Sequence, residues 1–250
     1  MNKNIYFDHT FTGDQNHSFL KKLKKMGFKV SDFMVKHPNA ECRFLYFGKG
    51  SYLEFMHTPN ENKILHQPGF SFGAKKNLEA LFKKYKKSGL NCSFTHRNYN
   101  WLENNKDYLP GWNFLEFKKI GFKTFYPWFT EYEPNPNSKR KFIPIKHPNC
   151  VTGIWGHEFV VNQSGRDFFQ KVLGTKIQDK IILDCGTSFY FKEGRTNDHS
   201  KVILKTSNFK KTSSYIKRAD LIKFEGRDGI LIENPSPNMR MWDLLIIGEN

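Results

Sequence analysis

Apolar positions along this chain follow two alternating rhythms. Leu78, Leu81, Phe82 and Tyr85 recur at i, i+3, i+4 and i+7, which places them on one side of an α-helix. Phe19, Leu20, Leu23 and Met26 share a face in the same way. The two segments are near copies: residues 19–28 read FLKKLKKMGF and residues 81–90 read LFKKYKKSGL. Gly27 and Gly89 stand where a helix ends in the left-handed region. Asp14 is placed to cap the first helix. Around both helices the period shortens to two, the mark of strands. Strands are predicted at Ile5–Phe11, Lys29–Met34, Cys42–Phe47 and Tyr52–His57, the last two joined by a Gly48-Lys49-Gly50 turn. A second set follows at Gly69–Phe72, Asn91–Thr95, Trp112–Lys118 and Phe125–Tyr132.

Each set reads β-α-β-β-β. A longer loop, with Asn104-Asn105-Lys106-Asp107 and Pro110-Gly111, interrupts the second. Residues 133–138 (EPNPNS) give the strongest linker signal in the chain. The pattern then resumes with a strand at Gly156–Val161, a helix at Arg166–Leu173 stopped by Gly174, and strands at Lys180–Asp184 and Ser188–Lys192. A degenerate fourth unit has a strand at Lys201–Thr206 and a helix at Phe209–Arg218. Its remaining strands are Leu221–Glu225, Gly229–Glu233 and Trp242–Ile247, with a Pro235-Ser236-Pro237 loop before the last. The expected fold class is α+β, built from repeated β-α-β-β-β modules that pair into curved mixed sheets. Two domains are expected, 1–133 and a more degenerate 145–250.

Composition changes this picture little. The 250 residues carry no apolar run long enough for a transmembrane helix and no apolar leader at the start, so a soluble, cytoplasmic protein is expected. Four scattered cysteines form no CxxC pair, which argues against a zinc ribbon or a disulfide scaffold. Cys92 and Cys185, in apolar stretches, are expected to be buried. The net charge of +16 raises the question of nucleic acid. Its two densest clusters, Lys21–Lys25 and Lys83–Lys87, sit on the polar faces and last turns of the predicted helices, where the macrodipole favours lysine. An RNP1 pattern is absent from the sequence, so RNA or DNA binding is kept as a third reading.

The chemistry lies in ionisable groups on otherwise apolar strand faces. His9 shares a face with Phe7 and Phe11, Glu54 with Tyr52 and Met56, and Glu131 with Pro127 and Phe129. A buried carboxylate needs a partner or a metal. One imidazole and two carboxylates suit a divalent ion with open positions; pairing with Arg43 or a lysine, or an outward orientation, would equally satisfy them. Arg43, Tyr52, Phe129 and Trp128 are the candidate substrate-binding residues: Arg43 for an anionic group, the rings for apolar area. Trp112, Phe125 and Tyr132 add aromatic surface. His157 is a weaker ligand candidate in the second half, with Glu233 ending a later strand. His37-Pro38 and His147-Pro148 read as structural turn entries. No P-loop, GxGxxG or GxSxG motif is present in the sequence.

Several short motifs occur in order: Phe7-Asp8-His9-Thr10, Met26-Gly27-Phe28, His37-Pro38-Asn39, residues 43–48 (RFLYFG), 50–55 (GSYLEF), 127–132 (PWFTEY), His147-Pro148-Asn149 and residues 152–156 (TGIWG). In this order, over residues 5–160, the chain resembles the vicinal oxygen chelate superfamily, and within it long glyoxalase-like proteins. The resemblance implies paired modules forming a cup, with metal ligands on the first and last strands of modules. His9, Glu54 and Glu131 fall at such places, whereas the first strand of the second module offers only Ser71 or Phe72. It implies one divalent metal ion (Fe, Mn, Ni or Zn) and a small oxygen-chelating substrate, with isomerase, lyase, dioxygenase or hydrolase chemistry open. It also allows a metal-free protein that binds a small molecule in the same cup.

Overall fold

The computed structural model describes residues 5–32, 34–37, 40–47, 51–58, 68–75, 77–97, 111–118, 122, 125–133, 145–217, 219–234 and 242–249. The Gly48–Gly50 turn, the loops expected at 104–111 and 235–237 and the linker at 134–138 lie wholly or largely outside them. The elements follow in chain order. Strand β1 (Ile5–Gly13) leads through a 3-10 turn into α1 (Ser18–Lys25), followed by β2 (Met34–His37), β3 (Ala40–Tyr46) and β4 (Tyr52–His57). The second unit is β5 (Gly69–Ala74), α2 (Leu78–Lys87), β6 (Cys92–Arg97), β7 (Trp112–Phe117) and β8 (Tyr126–Tyr132). The third is β9 (Val151–Val161), α3 (Gln163–Leu173), β10 (Lys180–Ile182) and β11 (Ser188–Glu193). The fourth is β12 (Asp198–Thr206), α4 (Phe209–Tyr215), β13 (Asp220–Phe224), β14 (Arg227–Ile232) and β15 (Asp243–Gly248).

Local chemistry sets the helix ends. Asp14 accepts from the backbone N–H of Phe19 and Leu20 at 2.9 and 2.8 Å, taking two donors that α1 leaves unpaired. Gly27 and Gly89 both have φ +79°, the left-handed stop that the sequence predicts. β9 and β12 begin earlier than expected, at Val151 and Asp198 instead of Gly156 and Lys201, and one strand is displaced. Residues 29–32 are not in a strand: Ser31 N reaches Phe44 O, but the ladder begins at Met34 opposite Arg43. Ser31 and Asp32 are poor strand formers, and the apolar pairing starts beyond them.

The strands form two sheets, in the order β2-β3-β4-β1-β5-β8-β7-β6 and β10-β11-β9-β12-β15-β14-β13. In each, two modules meet at their first strands, antiparallel: β1 with β5, and β9 with β12. The helix-bearing sides of both sheets share one hydrophobic core. Phe70 packs on Phe159, Phe189 and Phe169 at 5.2, 5.9 and 6.1 Å between centroids, and Trp242 packs on Phe19 and Phe55. His147 ties the halves together: its Nδ1 accepts from Lys29 N at 2.9 Å and its Nε2 meets Tyr46 O at 3.2 Å. The opposite face of the first sheet is concave. Cys92 is buried as expected; Cys185 is exposed, in the turn between β10 and β11, where its Sγ accepts from Phe7 N at 3.4 Å. Among the described residues no helix is long and apolar enough to cross a membrane.

Candidate functional site

The concave face of the first sheet holds a cavity of about 260 Å³. Its walls are aromatic: Phe11, Phe44, Tyr52, Trp112, Phe114, Tyr126, Trp128 and Tyr132, with Val35 and Met56. His9 and Glu54 supply the ionisable lining, and Thr130 a hydroxyl. Among the described residues lining it there is no Lys or Arg.

An irregularity in β1 builds the floor. Phe7 pairs with Phe72, and the next paired residue is His9, opposite Ser71; Asp8 is the extra residue of a β-bulge. The bulge reverses the alternation. Phe7 lies in the core against His157, at 4.4 Å, whereas His9 and Phe11 line the cavity. The sequence-based expectation that Phe7, His9 and Phe11 share a face is therefore corrected: a period of two does not survive an inserted residue. Asp8 Oδ2 meets His9 Nδ1 at 2.7 Å and accepts from the Tyr132 hydroxyl at 3.1 Å. The Tyr52 and Tyr132 hydroxyls are 3.0 Å apart. The His9 ring stacks on Tyr52, 4.5 Å between centroids and 7° from parallel, and meets the Trp128 edge at 5.4 Å. Gly69 lets Trp128 lie across β5, since a Cβ there would come 2.5 Å from the indole ring.

His9 and Glu54 come together, with Nε2 3.6 Å from Oε2. Across the sheet, β4 pairs in parallel with β1, and His9 sits opposite Tyr52. Burial first, and the neighbouring Glu54 carboxylate second, push the Cys42 thiol well above its usual range; the thiol donates to Glu54. Burial, then the negative charge of Asp8, lifts Tyr6 to about 12.

Glu131 does not join this pair. It shares a face with Phe129, as the sequence predicts, but that face is the core. Phe129 is fully buried against Phe72, Tyr85 and Phe117. Glu131 Oε1 accepts from Leu78 N at 3.0 Å, capping α2, and Oε2 accepts from Asn113 at 3.0 Å. Arg43 also faces away from the cavity and bonds Glu41 at 3.1 Å, beside His17. Tyr52 and Trp128 line the cavity; Phe129 and Arg43 do not. Asp8, Phe44, Phe114 and Thr130 complete the site. Asp8 was marked only by its place beside His9, and Thr130 by its place beside Glu131.

The donor set does not fit a resident metal. His9 pairs with Tyr52 and Ser71 with Trp128, so the positions in the second module equivalent to His9 and Glu54 are Ser71 and Thr130, whose hydroxyls bond each other at 2.8 Å. Trp128 Nε1 donates to Thr130 Oγ1 at 3.1 Å. That leaves His9 and Glu54, and among the described residues no group of three or more His, Cys, Asp or Glu is placed to hold an ion. His157 is no ligand centre either. It is buried in the core, Nδ1 3.1 Å from His199 Nε2. In the second sheet the register that places Tyr52 and Ser71 beside His9 places Tyr190 and Lys201 beside Glu158. Glu158 is paired there with Lys192 and Lys201, and Glu225 joins Tyr190 to Lys180 across that face.

No known family model matches the chain, and no curated protein matches it in sequence. Solved structures match its fold over almost the whole length. A Mn(II)-bound glyoxalase from Novosphingobium aromaticivorans has a TM-score of 0.63 at 8% identity, over 99% of this chain and 82% of that one. Homoprotocatechuate 2,3-dioxygenase from Brevibacterium fuscum, in complex with 3,4-dihydroxyphenylacetate, gives 0.58 at 13%, over 99% and 80%. A hypothetical protein from Staphylococcus aureus gives 0.59 at 12%, over 98% and 100%. The chain thus shares its fold, α+β with paired modules, with a glyoxalase and a dioxygenase, the fold that the resemblance to the vicinal oxygen chelate superfamily implies.

Proposed function

We propose that this protein binds a small, flat, largely apolar molecule in the cup of its first sheet, without a resident metal ion. The observation that carries the reading is the lining: aromatic walls around one polar floor, with a hydroxyl pair where further metal ligands would have to stand. Such a cavity buries a ring system by apolar contact and orients it by a few fixed polar groups. Asp8 holds the His9 ring in one orientation, so Nε2 is presented to whatever occupies the cup.

A divalent ion is the second reading, favoured by one observation. His9 has its Nδ1 anchored by a carboxylate and its Nε2 beside a second carboxylate, an arrangement that orients metal-binding histidines. The enzymes of the same fold named above are a manganese-bound glyoxalase and a dioxygenase. Thermal-shift screening of small aromatic compounds on the full chain, in EDTA and again with Mn, Fe, Ni or Zn added, separates the two. Stabilisation by ligand in EDTA supports the metal-free cup. Stabilisation only after an ion is added, with about one equivalent retained and lost in His9→Ala, supports the metal reading.

A further inference from the structure

The polar atoms of the cup point to the charge of its ligand, an inference that rests on the cup being the binding site. Asp8 Oδ2, 2.7 Å from Nδ1, fixes the His9 ring so that Nε2 faces the cup beside Glu54. Glu54 Oε2 lies 3.6 Å from Nε2, beyond hydrogen-bond length, so a carboxylate oxygen faces the cavity beside the ring. The His9 side chain is only 6% exposed, so bulk water does little to satisfy it.

The donors of the wall are already engaged. Tyr132 donates to Asp8 and accepts from Tyr52. Ser71 donates to Phe72 O, which makes Thr130 the donor in their mutual bond, and the Trp128 N–H is given to Thr130. What the floor presents is the Glu54 carboxylate, with that of Asp8 behind the His9 ring, and the faces of aromatic rings.

We infer that the cup selects an organic cation: a primary ammonium or amidinium group on a flat aromatic body. Its N–H groups would be given to Glu54 Oε2, and its charge would sit against that carboxylate and the π-faces around it. A carboxylate ligand would meet no free donor among these groups and would be repelled by Glu54. This preference runs against the long-range field of a chain with net charge +16, so it can come only from the cup itself.

The test is a charge series at constant shape. 2-Naphthylmethylammonium, 2-naphthylmethanol and 2-naphthoate are titrated by calorimetry into the full chain in EDTA. The ammonium compound is expected to bind about tenfold or more tighter than the alcohol, with the carboxylate weakest. Glu54→Gln, which keeps the shape, is expected to erase the gap between ammonium and alcohol. Equal affinities, a preference for naphthoate, or a gap that persists in Glu54→Gln overturns the inference while leaving the cup as the binding site. Binding by none of the three up to millimolar concentration overturns both. If Glu54→Gln does not fold, the order of the three ligands on the unaltered chain still decides.

Discussion

At the scale of single residues, the site depends on one insertion. Asp8 bulges out of β1, reverses the alternation and lets its carboxylate hold both His9 and Tyr132. Asp8→Ala would leave a ring N–H and a phenol without their shared acceptor. We predict a stability loss of about 1–3 kcal/mol in urea unfolding, together with weaker ligand binding. The hydroxyls of Ser71 and Thr130 mark the difference from a metal centre. Replacing them together, Ser71→His with Thr130→Glu, should create a site that retains about one divalent ion through dialysis, where the natural chain retains little. Retention by the natural chain equal to that of the variant would count against this account. His9, Glu54, Tyr52 and Trp128 are each conspicuous on their strands in the sequence, and the structure places them at one cavity. Glu131, Phe129 and Arg43 were misplaced because β8 and β3 carry large apolar or aromatic residues on both faces. Alternation alone cannot tell which face is the cup.

At the scale of elements, α1, α2 and α3 were the most legible part, since each carries its own apolar face and glycine stop; α4, with no glycine after it, ends at Tyr215 where Arg218 was expected. Strands with a single apolar alternation, such as β4, were located to the residue; β2 was displaced because Ser31 and Asp32 delay its pairing. What the sequence hid were bonds between elements distant in the chain. Glu131 caps α2 from the end of β8. Glu131→Ala should lower stability by about 1–2 kcal/mol and leave the affinity for the naphthyl compounds as it is. A loss of affinity with stability unchanged would return Glu131 to the binding site.

At the scale of the molecule, the two sheets share a core whose centre contains buried histidines. Burial, reinforced by His199, holds His157 well below its ordinary range; burial holds His199 down to about 3 and His147 to about 4. Each has a folded-state pKa below the unfolded value near 6.5, so the unfolded chain binds protons more readily. Their contribution is complete above about pH 6.5 and is lost as pH falls toward their folded values, with a slope of about 1.4 kcal/mol per pH unit for each histidine. Urea unfolding between pH 6.5 and 4.5 should show this slope, and the double variant His157→Leu, His199→Leu should flatten it. Because Phe70 bridges both sheets, Phe70→Ala should cost about 3–5 kcal/mol, with the halves still unfolding in one transition.

The central claim is that the cup of the first sheet takes its ligand without a metal. Calorimetric titration of the EDTA-treated chain with 2-naphthylmethylammonium, beside Trp128→Ala, tests it most directly. Saturable one-site binding that the variant loses is expected. Heat that appears only after a divalent ion is restored, or binding that Trp128→Ala leaves untouched, would contradict it.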